Sequence, residues 1–248
     1  MRETRSIMGM PITIEVVDSH TKVGTIAGLF EYFTAVDERF STYKPTSEIM
    51  QINRGELTIA NASSEMQEVF ALAEKTKQET NGYFDIVQPN AFIDPSGIVK
   101  GWAIYNAANM LRAQNIHNFY IDAGGDIESS GVNEEGLPWG IGIKNPFNQK
   151  EIVKVIYPKG RGIATSGSYI RGAHIYNPRA QQEPLTEVVS LSVVGPNVLE
   201  ADRFATAAFA MGRIGITFIE SLPGFEGYSI DSTGIATFTS NFESLTTL

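Results

Sequence analysis

The 248 residues include 42% hydrophobic and 19% charged side chains, the composition of a folded globular chain with enough length to bury a substantial core in one large domain or two joined lobes. A formal net charge of -9 without any Lys/Arg cluster argues against a nucleic-acid partner, because a phosphate backbone requires a basic surface. With no cysteine, disulfides, thiolate metal sites and cysteine nucleophiles are excluded, and any metal must be held by oxygen or histidine.

The first six residues run straight into an alternating segment without an apolar h-region or a small-residue cleavage site, and no apolar run approaches ~20 residues. The expectation is a cytoplasmic protein with no membrane span. Alternation over 7–17 predicts a first strand. From Val23, the residues Ile26, Phe30, Phe33, Val36 and Phe40 recur at intervals of three and four, predicting an amphipathic helix to about Arg39, followed by a polar loop over 41–47. Ser64 and Gln67 have capping-box spacing for a second helix to about Glu79, with Met66, Phe70 and Ala73 inward and Asn81-Gly82 closing it. Residues 83–99 read as irregular, punctuated by Pro89 and Pro95, and a third helix is predicted over about 100–113.

Short strands are predicted at 117–122, 138–143, 152–157, 162–165 and 188–194. Asn197 and Glu200 have capping-box spacing for a last helix that Gly212 closes. Strands near 226–230 and 234–238 follow, and the polar tail from Thr239 is expected to fray. Helices and strands fall in blocks instead of βαβ alternation, so the fold class is α+β with mainly antiparallel sheet.

The last helix carries the most chemical information. Nearly every position from Val198 to Met211 is Ala, Val, Leu, Phe or Met, so the helix should be buried all round, yet Asp202 and Thr206 lie four apart on one face. A carboxylate in that setting needs compensation. Either Asp202 pairs with Arg203 or caps a neighbouring loop, or it joins the Thr206 hydroxyl in holding a hard cation such as Mg2+. Thr165-Ser166-Gly167-Ser168 at a strand end can expose backbone N–H groups to phosphate oxygens, or simply turn the chain. His174, one of three histidines, can take a proton from an attacking hydroxyl beside that turn, or serve the structure. Asp122-Ala123-Gly124-Gly125-Asp126 reads as a hairpin turn, and Gly82-Tyr83-Phe84-Asp85 with Tyr43 offers rings for a flat heterocycle or for the core.

Taken in chain order, Met8-Gly9, Phe40-Ser41-Thr42-Tyr43 with Ser47-Glu48-Ile49, Gly82-Tyr83-Phe84-Asp85, Lys100-Gly101-Trp102-Ala103, Ala123-Gly124-Gly125-Asp126, Thr165-Ser166-Gly167, His174-Ile175 with Pro178-Arg179, and Ala201-Asp202 through Ala205-Thr206 resemble the ApbE family, the FAD:protein FMN transferases. The resemblance covers about residues 6 to 212. It implies a two-lobed fold in a single domain over 1–248, with FAD in the cleft between lobes and Mg2+ at its pyrophosphate. It also implies transfer of FMN to a Thr or Ser hydroxyl of an acceptor flavoprotein with release of AMP. Hydrolysis of FAD to FMN and AMP, or FAD binding without catalysis, are the alternatives.

By motif matching, Asp202, Thr206 and the carbonyl of Ala103 would ligate the metal. Met8, Tyr43, Tyr83, Phe84, Asp85, Lys100, Thr165, Ser166, Gly167 and Ile175 would contact the flavin nucleotide, and His174 would be the base. The chain departs from the family's usual motifs at Met10, Tyr105, Ser168, Tyr176, Asn177, Ala180 and Gln181, and the segment 86–99 is shorter than in typical members.

Overall fold

The computed structural model spans the whole sequence and describes residues 1–167, 176–180, 185 and 187–247. The elements are β1 (Arg2–Ile7), β2 (Met10–Val16), α1 (Thr25–Phe40), α2 (Glu48–Asn53), α3 (Ser64–Glu79), α4 (Ser96–Arg112), β3 (Phe119–Ala123) and β4 (Asp126–Ser130). They continue with β5 (Ile141–Asn145), β6 (Asn148–Ile156), β7 (Gly162–Gly167), β8 (Val188–Gly195), α5 (Val198–Ala210), α6 (Gly215–Glu220), β9 (Glu226–Asp231) and β10 (Ala236–Phe238). Mixed helices and a mainly antiparallel sheet agree with the expected class.

Several boundaries differ from expectation for local reasons. The strand expected over 7–17 is the second arm of a hairpin. Met8 and Gly9 take φ of 56° and 72° and fold β1 back onto β2, with Ile7 opposite Met10. The apolar alternation belongs to β2 alone, because β1 is an exposed edge. Val23 stays exposed outside α1. The cap of α3 is Ser63, not Ser64: the Ser63 hydroxyl accepts the Met66 N–H at 3.3 Å, while the Gln67 amide donates to the carbonyls of Ala60 and Ala62. The third helix starts four residues early, at Ser96, since Pro95 supplies a fixed φ just before the first turn. The cap of α5 falls on Asn197 as its sequence indicates, with Asn197 Oδ1 accepting the Glu200 N–H at 3.0 Å.

The sheet has the order β1-β2-β3-β4-β7-β8-β9-β10, and β5 pairs with β6 as a separate hairpin. One face carries Ile12, Ile14 and Ile121 against Phe30, Phe33 and Trp102 of α1 and α4. Farther along, Ala164, Leu191 and Val193 pack against Ala201, Phe204, Ala205 and Ala208 of α5. The opposite face places Ile127, Ile163, Val194, Tyr228 and Ile230 against Ile141, Ile143 and Ile156 of the β5–β6 hairpin. Adjacent residues such as Ile163 and Ala164 thus serve different halves of the core, as the two-residue period of a strand requires.

The tail does not fray at Thr239. The Thr239 hydroxyl donates to the Glu226 carboxylate, and a short turn, Phe242–Leu245, buries both of its end residues beneath the sheet. Each such burial contributes about 1.5–3 kcal/mol, enough to hold a short segment. No helix among the described residues is long and apolar enough to cross a membrane.

Candidate active site

The site begins where α4 crosses α5. A Cβ on Gly101 would stand 2.6 Å from Asp202 Cβ and 3.0 Å from the Val198 carbonyl, so this close approach of two helix backbones requires glycine. Because the backbones touch, the Gly101 N–H donates to Asp202 Oδ2 at 2.8 Å. One turn along α5, the Thr206 hydroxyl donates to the Gly97 carbonyl at 3.4 Å. Asp202 and Thr206 thus engage an N–H and a carbonyl of α4 that are themselves four residues apart.

The side chain before Gly101 extends the cluster to the sheet. Lys100 Nζ lies 2.6 Å from Asp126 Oδ2, and the Asp126 side chain is 1% exposed. The turn between β3 and β4 places that carboxylate: Gly124 and Gly125 take φ of 62° and 100°, and the Gly125 N–H donates to Asp122 Oδ1 at 2.8 Å. β4 and β7 pair at a single register, Ile127 opposite Ile163, before they splay. In the gap Asp126 Oδ1 accepts the Thr165 N–H at 3.0 Å, replacing a strand partner with a carboxylate. The Thr165 amide is therefore committed to Asp126.

Asp202 does not pair with Arg203, one of the partners that the sequence left open for it. The Arg203 guanidinium turns to α3, donating to Thr76 Oγ1 at 3.2 Å and pairing with Glu79 and Glu200, and it lies 4.0 Å from the Phe204 ring centre. Burial pushes the Asp202 carboxyl up to about 8, the Asp126 carboxylate adds to the rise, and Lys100 and the Gly101 N–H oppose it.

Above this floor opens a cleft of about 940 Å3, measured out to its solvent mouth. Tyr83, Phe84, Asp85 and Ile86 form one wall, following the Asn81-Gly82 turn that ends α3. Gly97 and Lys100 of α4 with Asp202 and Thr206 of α5 form the base, and Gly124 with Thr165, Ser166 and Gly167 forms the sheet side. Tyr176 and Pro178 close a further edge, and the Tyr176 hydroxyl donates to the carbonyls of Asp85 and Val87, each at 3.3 Å. The Asp85 carboxylate is itself held by Lys77 at 2.7 Å. Aromatic faces, a glycine-lined edge and a floor of oxygen donors suit a flat heterocycle carrying phosphate groups. Carboxylate and hydroxyl oxygens at the floor are hard ligands.

The structure thus gathers Tyr83, Phe84, Asp85, Lys100, Thr165, Ser166, Gly167, Asp202 and Thr206 around one cleft. Other sequence candidates lie elsewhere. Met8 occupies the β1–β2 turn, at the same sheet end as the β3–β4 turn but outside the cleft lining. Tyr43 projects from its loop at 95% exposure, and Ala103 is fully buried on α4, again outside the lining. His174 and Ile175 lie outside the described residues. Sequence reasoning missed Gly97 of the cleft base, and it met Asp126 only as the end of the double-glycine turn and its motif. A buried acid directly after a double glycine, at the start of a strand, was the signal available for Asp126.

A sequence model of the ApbE family matches residues 8–91 and 87–228. A protein from Vibrio cholerae named FAD:protein FMN transferase is 35% identical over 134 residues, which is 50% of this chain and 40% of that protein. The protein of the same name from Escherichia coli K12 is 31% identical over 133 residues, 50% of this chain and 38% of its own length. The matches thus span less than half the length of these curated relatives. Among solved structures, the flavin transferase ApbE from Vibrio cholerae superposes with a TM-score of 0.86 at 22% identity, covering 99% of this chain and 98% of that one. The ApbE protein of Thermotoga maritima gives 0.87 at 21% identity, covering 100% and 99%.

Proposed function

The chain belongs to the ApbE family, and from that membership together with the cleft we propose that it binds FAD and transfers the FMN half to a Thr or Ser hydroxyl of an acceptor flavoprotein, with Mg2+ as cofactor. The observation that carries this reading is the Asp202 carboxyl, wholly buried on a greasy helix yet lining the cleft floor beside Thr206. The donor set is all oxygen. A single carboxylate with a hydroxyl fits Mg2+, which takes one or two protein carboxylates and completes its shell with water and substrate phosphate.

In this reading Asp202 and Thr206, with the carbonyl of Ala103 as the family resemblance implies, would hold the ion. Bound there, it would supply positive charge to the diphosphate of FAD. Tyr83, Phe84 and Tyr176 line the cleft where a ring system would lie, and Lys100 offers an ammonium group near the phosphates. The acceptor oxygen attacks the phosphorus of the FMN half, the phosphoanhydride bond breaks, and AMP leaves with the bridging oxygen. The hydroxyl proton passes to His174. Holding the nucleotide in line and excluding water are the tasks of the walls, as expected where positioning and electrostatics dominate phosphoryl-type transfer.

The test is incubation of the protein with FAD, Mg2+ and an acceptor domain bearing a Thr. A covalently fluorescent acceptor and an equal yield of AMP are expected. FMN and AMP without a labelled acceptor would establish a hydrolase, and intact FAD would overturn both enzymatic readings.

A further inference from the structure

A lysine ammonium group stands beside the proposed cation site. Lys100 reaches from α4 to Asp126 at 2.6 Å, and Asp202, which lines the cleft floor, is close enough to feel both the Asp126 carboxylate and the ammonium group, so one cation serves two buried acids. Asp126 is fixed from its other oxygen by the Thr165 N–H, and Asp202 by the Gly101 N–H, so both acids are held rigidly. Lys100 differs from them: its side chain is 18% exposed, lines the open cleft, and ends a flexible four-carbon stem.

We propose that Lys100 is an exchangeable counter-ion: it neutralises the Asp126–Asp202 pair in the ligand-free protein, and a divalent cation binding to Asp202 and Asp126 displaces its ammonium group into the cleft. The inference rests on the cation-site reading above and deepens it. It adds Asp126 as a carboxylate that faces the ion, and it gives Lys100 two positions, one on the carboxylates and one toward the substrate phosphates. The physical basis is competition. Two positive charges cannot share the same pair of buried oxygens without mutual repulsion, whereas a buried pair of acids with no cation is costly. Lys100 would keep the empty floor stable and then become an anion-binding group once the floor is filled. Coupling of this kind makes metal and dinucleotide binding mutually supportive, since each favours the displaced lysine.

The experiment measures Mn2+ binding to the full chain without flavin, following loss of the free-ion EPR signal, for wild type, Lys100→Met, Asp126→Asn and Asp202→Asn. Circular dichroism melts accompany each variant to show that it is folded. Lys100→Met should bind Mn2+ about tenfold more tightly than wild type, because the competing charge is gone. Asp126→Asn should bind more weakly, and Asp202→Asn should abolish binding. If Lys100→Met binds equally or less tightly while Asp202→Asn still abolishes binding, the exchange is refuted and the cation site stands. If no variant and no wild-type protein binds Mn2+ at millimolar concentration, the site and the exchange fall together.

Discussion

At Asp202 burial is the largest influence on charge, ahead of its neighbours. Its ordinary carboxylate value of 3.8 rises to about 8, first from desolvation and then from Asp126, despite Lys100 and the Gly101 N–H. A raised folded-state value means that the folded chain holds a proton which the unfolded chain releases, so this carboxyl stabilises the fold fully below about pH 4. The contribution is lost as pH rises through the interval up to about 8. Cation-free wild type should therefore lose Tm relative to Asp202→Asn between pH 5 and about 8, and thermal melts of both variants across that range would check it. Parallel curves would contradict the assignment. The acid was legible in the sequence because it interrupts an apolar helix. Its neighbours were not: Lys100, Asp126 and Thr165 come from α4, β4 and β7, and only the tertiary fold brings them to one floor.

Among the elements, the α4–α5 crossing sets the site's precision. Gly101→Ala would force a methyl group to within 2.6 Å of Asp202 Cβ and 3.0 Å of a backbone carbonyl, neither of which can step aside. At Gly97 the new methyl would meet the Phe84 ring edge at 3.2 Å and a Thr206 methyl at 3.3 Å, where side chains can give. Gly101→Ala should cost about 1–3 kcal/mol in urea denaturation and weaken FAD binding, with Gly97→Ala markedly milder.

The start of α5 depends on Glu128, whose carboxylate accepts the Val198 N–H at 2.8 Å and pairs with Arg112 at 2.6 Å while burial raises its proton affinity. Glu128→Gln keeps the shape and removes the charge, and a loss of about 1.5–3 kcal/mol is expected from the same denaturation measurement. Long helices were readable from their three-and-four spacing. The six-residue helices α2 and α6 were not, being too short to show a period. The β1–β2 hairpin was missed because its turn uses Met8, an unusual residue at positive φ.

Across the whole molecule, one antiparallel sheet divides the core, with α1, α4 and α5 on one face and the β5–β6 hairpin with the C-terminal turn on the other. The site belongs to the helical face. Phe242→Ala, on the far face, should destabilise by about 3–5 kcal/mol while leaving FAD affinity in the surviving folded protein unchanged, as calorimetry and flavin titration can show together. Block-wise ordering of helices and strands made the class readable from the sequence. Strand order was not, because β4 meets β7 only after the β5–β6 excursion, and such long-range pairing leaves no local pattern.

In the proposed reaction the Asp202 carboxyl joins a divalent ion to a flavin dinucleotide in this cleft. Titration of FAD into the protein, followed by flavin fluorescence with and without Mg2+, for wild type and Asp202→Asn, tests it most directly. Mg2+ should tighten FAD binding by about tenfold or more in wild type and have no effect on the variant. Equal affinity in all four measurements would contradict the account.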